Sequence, residues 1–114
     1  MTPAEQELNI ALCEWRGFSY SYDAGGDKYW DQPVPNHISD ISSLGHVHEA
    51  EKRLTWQQTC DYTKRLEFTV VPAPPTANVE GQIWHATAKQ RTIALLTVVN
   101  PEFIKTWKQK YPNE

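Results

Sequence analysis

Three threonines, each followed three residues later by Glu or Gln, fix where this chain turns helical: Thr2-Pro3-Ala4-Glu5, Thr55-Trp56-Gln57-Gln58 and Thr87-Ala88-Lys89-Gln90. In such a capping box the threonine oxygen accepts from a backbone amide that has no helical partner, and the Glu or Gln side chain reaches back to the threonine N–H. The first box adds Pro3 at the first helical position, where a missing N–H costs little. Its helix is predicted to reach about Trp15, with Leu8, Leu12 and Trp15 on one face, broadened by Ile10, Ala11 and Cys13, and to end at Gly17. The second box opens a helix over about 56–65. The third opens a strongly apolar helix carrying Ile93, Ala94, Leu95, Leu96, Val98 and Val99, expected to be the most buried of the domain. Asn100-Pro101 restarts a terminal helix through Phe103, Ile104 and Trp107.

Between these starts the pattern changes. Phe18-Ser19-Tyr20-Ser21-Tyr22 alternates aromatic and Ser, the period of a strand with one aromatic face, and a face of that kind is expected to be core. Asp23-Ala24-Gly25-Gly26-Asp27 is a turn and Lys28-Tyr29-Trp30 a return strand. Pro33 and Pro35 hold residues 32–36 extended. Ile38, Ile41, Leu44, Val47, Glu51 and Leu54 recur at spacings of three and four and predict a helix over about 38–53, capped by Asn36 or Ser39. Gly45 inside it costs about 1 kcal/mol against Ala, so it either admits a neighbouring backbone or is simply tolerated. Leu66–Val71 reads as a strand ended by Pro72, Pro74 and Pro75, 72–80 as a rigid exposed loop, and 81–85 as a strand or an approach to the next helix. Four or five helices and three or four strands in mixed order give an α+β class.

The chain has 114 residues, 39% of them hydrophobic, which suits a single domain over 1–114 with a real core. No apolar run is long enough to span a membrane, and the acidic MTPAEQEL start does not read as a signal peptide. A net charge of −3 argues against a dedicated DNA binder. The charge is uneven: residues 1–63 carry four Lys/Arg against ten Asp/Glu, whereas 81–114 carry five against two. Lys89, Arg91, Lys105, Lys108 and Lys110 form a basic C-terminal third that reads first as a solvated face. Cys13 and Cys60, in helical segments without a secretion signal, read as reduced, packed thiols.

Two runs resemble a known family. Pro35-Asn36-His37-Ile38-Ser39-Asp40, continuing to His48-Glu49-Ala50-Glu51-Lys52-Arg53-Leu54, is similar to the central motif of the phage ABA sandwich domain family, small proteins of tailed phages and prophages. His85-Ala86-Thr87-Ala88-Lys89-Gln90-Arg91 followed by Ala94-Leu95-Leu96 resembles their second motif, and Leu8–Leu12 and the segment near Trp30 keep the family order. The resemblance covers about residues 6–98 and leaves about 100–110 as a helical extension. The sequence departs from the pattern at Asn36, where an aromatic residue is expected, and at Gly45. The resemblance implies a layered helix–sheet–helix sandwich with a small, largely antiparallel sheet and four to five helices. It also implies a bacteriophage protein acting in the cytoplasm of the infected bacterial host, and it implies no enzymatic activity.

The chemistry-bearing residues are few. His46 and His48 lie two apart, on opposite sides of a helix, and cannot share one metal ion; His46 with Glu49 and His48 with Glu51 or Lys52 do have helical spacing, but no Cys-x-x-Cys or His-x-x-x-His supports a metal site. No nucleophile elbow, P-loop or dinucleotide fingerprint occurs, so neither catalysis nor a cofactor is expected. Asn36 and Asp40 mark one helix start, a natural acceptor for a polar or anionic ligand. His85, Thr87, Gln90 and Arg91 mark another, where free amides, a hydroxyl and a bidentate guanidinium suit phosphate. Side by side, the two starts would form one ligand-binding site. The expected function is a small-molecule binding protein, most concretely a non-catalytic sponge for a nucleotide-type bacterial immune signal. The alternative is a protein–protein docking module acting on a host enzyme or phage component, with Trp84, Trp107 and the Pro-rich loop as anchors. No membrane partner is expected and nucleic acid is disfavoured. The terminal helix either packs on its own domain or mediates self-association, and a homo-oligomer is expected.

Overall fold

The computed structural model describes residues 1–70 and 86–114, with side chains described for 1–66 and 86–114. Among these the protein is α+β, with five helices and one two-stranded antiparallel sheet: α1 (Pro3–Trp15), β1 (Tyr20–Tyr22), β2 (Lys28–Trp30), α2 (Ser43–Glu51), α3 (Trp56–Val70), α4 (Ala88–Val99) and α5 (Pro101–Lys110). All three threonine boxes close as predicted. Thr2 Oγ1 accepts from Glu5 N–H at 3.2 Å while Glu5 accepts from Thr2 N–H at 3.0 Å. Thr55 and Gln58 repeat the exchange at 3.2 and 2.9 Å, and Thr87 and Gln90 at 3.1 and 2.8 Å. At the far end of α1, Gly17 takes φ +90°, which lets Phe18 N–H reach Cys13 O and Gly17 N–H reach Glu14 O.

α4 is the central helix and packs against α1, α2, α3 and α5. Its Ala94, Leu95 and Leu96 meet Leu8 and Leu12 of α1, Val47 of α2, and Tyr62 and Leu66 of α3 in one continuous core. Asn100 both ends α4 and caps α5, its side chain accepting from Phe103 N–H. The terminal helix packs on its own domain. Ile104 and Trp107 are buried, and Trp107 Nε1–H donates to Ala4 O at 2.9 Å.

Three expectations are corrected. The helix foreseen over 38–53 is shorter, Ser43–Glu51, because Asn36 captures the chain first. Its Oδ1 accepts from Ile38 N–H at 2.8 Å and Ser39 N–H at 3.1 Å, and Ser43 Oγ–H donates to Asn36 O at 2.7 Å, a local turn that competes with helix. Ile41 is consequently fully exposed, outside the apolar face its spacing suggested. The strand foreseen from Leu66 is instead the end of α3, which runs to Val70. Tyr62 and Leu66, four apart, continue one buried stripe, and this packing overrides the β propensity of Thr69 and Val70. The third correction, the aromatic face, is described with the site. The expectations for 72–80 and 81–85 lie outside the described residues.

Gly45 meets nothing within 4 Å of an added Cβ, so it is tolerated and admits no neighbouring backbone. Gly45→Ala is therefore expected to stabilise the protein by about 0.5–1 kcal/mol in urea denaturation. A loss of stability would show a close approach that this geometry excludes.

Candidate functional site

The first predicted start, Asn36–Asp40, is a self-bonded turn ahead of α2, whose own N-cap residue, Ser42, makes no side-chain capping bond. Besides the Asn36 turn, Asp40 N–H donates to Ser43 Oγ at 2.8 Å and Ser42 Oγ–H donates to the Asp40 carboxylate at 2.6 Å. The Ser42 hydroxyl, with the Ile41 and Ser42 amides, holds the Asp40 carboxyl below its usual range. At the second start Thr87 and Gln90 are engaged with each other, and His85 lies outside the described residues. Arg91 is 6% exposed and points inward. Its Nη1 donates to Glu51 Oε2 at 3.1 Å, and Nε reaches Ala86 O at 3.4 Å.

Glu51 is the hub of this arrangement. The same Oε2 accepts from the Tyr62 hydroxyl at 2.5 Å, and Oε1 lies 2.5 Å from His48 Nδ1. Burial, then the Glu51 carboxylate, push the Tyr62 phenol well above its usual range, so it is a fixed donor. The His48–Glu51 spacing of three was visible in the sequence; the partner forty residues away was not.

The two starts are not brought together; one contact links the segment that follows each, inside α4 and ahead of α2. Thr92 Oγ1–H of α4 donates to His37 O at 3.4 Å. Arg91 instead reaches the last turn of α2, whereas Asp40 precedes its first. Nine helical residues, or about 13 Å of rise, separate the two ends.

His37 is the centre of a buried polar cluster that sequence reasoning passed over. It is fully buried, and Asn9 Oδ1 of α1 accepts from both its N–H (2.8 Å) and its Nδ1–H (2.7 Å). Asn9 Nδ2 donates to Pro35 O at 3.1 Å, and Arg16 Nη1 donates to His37 Nε2 at 2.9 Å. A guanidinium can only donate, so Nε2 carries the lone pair and Nδ1 the proton. Burial, then Arg16, then His46 depress the His37 pKa from 6.5 to about 4. Cys13 Sγ lies 3.8 Å from Nδ1, yet burial pushes its thiol up to about 11. An uncharged thiol beside a nitrogen that already holds a proton is no activated nucleophile. The cluster clamps α1 to the proline linker. Neither cysteine is in a disulfide; Cys13 is packed as expected, whereas Cys60 is only partly buried. Among the described residues no group of three or more His, Cys, Asp or Glu is placed to hold a metal, and no helix is long and apolar enough to cross a membrane.

The aromatic segment forms the predicted hairpin but is not core. Asp23 Oδ1 accepts from Gly25 N–H (2.9 Å) and Asp27 N–H (2.8 Å), Gly26 takes φ +84°, and Tyr20 pairs with Trp30, Ser21 with Tyr29 and Tyr22 with Lys28. Tyr20, Tyr22 and Tyr29 remain 39, 63 and 51% exposed. The reason is the small size of the sheet: two three-residue strands offer no second sheet to pack on, and the helices bury their own faces against α4. The Tyr20, Tyr22 and Trp30 rings pack on one another instead, and Tyr29 lies on the opposite face beside Ser21. Tyr20 stands edge-on to Tyr22 and Trp30 at 5.9 and 5.7 Å, with the Lys28 ammonium 3.8 Å above its centroid. Lys28 also pairs with Glu14 of α1, which ties the hairpin to the helices. Of the anchors expected for docking, Trp107 is buried, and Trp84 and the Pro-rich loop lie outside the described residues. No family model matches the chain, and no curated protein or solved structure matches it either.

Proposed function

We propose that the chain is a protein–protein docking module whose contact surface is the β1–β2 hairpin. The observation that carries this reading is the exposure of Tyr20 and Tyr22 on one face of the hairpin and Tyr29 on the other, on a sheet that contributes nothing to the core. Tyrosines supply large, rigid, amphipathic contact area at low entropic cost, and they are enriched at interface hot spots. On the phage-family resemblance the proposed partner is a host enzyme or a phage component. The nucleotide-sponge reading has less support, because Arg91 is buried against Glu51 and Gln90 N–H is already capped.

A Tyr22→Ser/Tyr29→Ser variant tests the reading. Its stability is expected to stay within about 0.5 kcal/mol per site of the parent, as for surface substitutions, while association with the partner is lost. A stability loss of several kcal/mol would show that the tyrosines serve the fold. A thermal-shift series with linear and cyclic nucleotides is expected to leave Tm unmoved, and a large rise from one nucleotide would restore the sponge reading.

A further inference from the structure

We infer that the hairpin recognises its partner by strand addition: an extended, basic polypeptide segment pairs along the outer edge of β1. This rests on the docking reading and specifies its chemistry.

The backbone accounting comes first. Asp23 N–H donates to Asp27 O and Asp31 N–H to Ser19 O, so those pairs are of the hydrogen-bonded type. Antiparallel pairs alternate, so Ser21 and Tyr29 exchange bonds, whereas Tyr20↔Trp30 and Tyr22↔Lys28 do not. The N–H and C=O of Tyr20 and Tyr22 therefore point away from β2. Among the described residues no protein group bonds to them. Such an open edge is a template for another strand. The β2 edge is the poorer template: Trp30 is half-buried, whereas Tyr22 is the most exposed aromatic of the hairpin.

Charge then selects the occupant. The hairpin carries Asp23, Asp27 and Asp31, and its one cation, Lys28, is paired with Glu14. A second copy carries the same net negative charge on its hairpin, so self-pairing is disfavoured. A strand with lysine at alternate positions complements the carboxylates on the Ser21–Tyr29 face, where Asp31 bonds Ser21, and turns its apolar residues to the face of the Tyr20 and Tyr22 rings.

The register supplies a discriminating variant. Tyr22→Pro removes an outward N–H and leaves the ladder intact, since proline is tolerated on an edge strand whose N–H faces solvent. Tyr22→Val removes the ring but keeps the N–H. The probe is a fluorescein-labelled nonapeptide alternating lysine and valine, read by fluorescence polarisation, with a glutamate–valine peptide as control. The lysine peptide is expected to bind the parent and the glutamate peptide not to. Tyr22→Pro is expected to weaken binding about tenfold beyond Tyr22→Val, the loss of one edge hydrogen bond plus the ring's obstruction. Unchanged amide exchange at Ser21 and Tyr29 checks that the hairpin persists in Tyr22→Pro. Equal binding by Tyr22→Pro and Tyr22→Val, or by the two peptides, or no binding of the lysine peptide, overturns strand addition. Docking itself falls separately, if the Tyr22→Ser/Tyr29→Ser variant keeps its partner.

Discussion

Arg91→Met is expected to destabilise the protein by about 3–4 kcal/mol at pH 7, the scale for removing one partner of a buried ion pair. The substitution keeps most of the apolar stem, so the loss measures the charge rather than a cavity. Arg91 is 6% exposed and the Glu51 side chain 19%, so the stranded carboxylate keeps the Tyr62 hydroxyl and His48 but loses its cation. Residual water access to Glu51 sets the expectation toward the lower end of the usual range. The combined Arg91→Met/Glu51→Leu variant is expected to recover much of the loss, because replacing both members of a buried pair by apolar groups is often neutral. Urea denaturation of the three variants completes the cycle. A change within about 0.5 kcal/mol for Arg91→Met would mark an exposed side chain, free to meet a phosphate, and would contradict this placement.

The second large effect is a loss of stability on mild acidification, from His37. Its pKa is lowered from 6.5 to about 4 in the folded protein, so the unfolded chain binds the proton more readily. Above pH 6.5 the ring is neutral in both states and the stability is fully present. As pH falls from 6.5 toward about 4, the unfolded state takes up the proton first and the protein loses about 3 kcal/mol, after which the effect levels off. The first cause is burial of the ring; in addition, a second proton on His37 removes the acceptor for Arg16 Nη1 and sets two cations 2.9 Å apart. The carboxyls of Glu5, Glu7, Asp40 and Glu49 are held below their usual values, so their contributions fade at lower pH than the upper part of this window. His37→Gln is expected to be less stable at pH 7 and to show a much flatter profile between pH 6.5 and 5. A slope as steep as the parent's in that variant would remove His37 as its source.

Helix starts were legible because they are local. A threonine and a Glu or Gln three residues apart close their hydrogen bonds without reference to the rest of the chain, and all three boxes hold. The turn at Asn36 was local as well, yet it delayed α2, because an Asn side chain bonding its own downstream amides competes with the helix it was expected to cap. Leu66–Val70 shows the reverse failure: residue preference favoured a strand, but burial of Tyr62 and Leu66 on α4 decided for helix. The hairpin was read correctly as local structure and wrongly as core. Alternation tells which side chains share a face and is silent on whether anything covers it. Arg91 and His37 were beyond reach for another reason. Their partners, Glu51 and Asn9, lie forty and twenty-eight residues away, and no spacing rule connects them. The sequence showed their side-chain chemistry, and only the packing showed that it is spent inside the protein.

Site-specific photo-crosslinking decides whether the exposed tyrosines face a partner. Benzoylphenylalanine at Tyr22, and separately at the exposed control position Lys108 of α5, would be irradiated in cells that make the protein. The account predicts one discrete crosslinked protein from Tyr22, absent from Lys108 and competed by excess unmodified chain. Equal, diffuse labelling from both positions, or none from Tyr22, would contradict it.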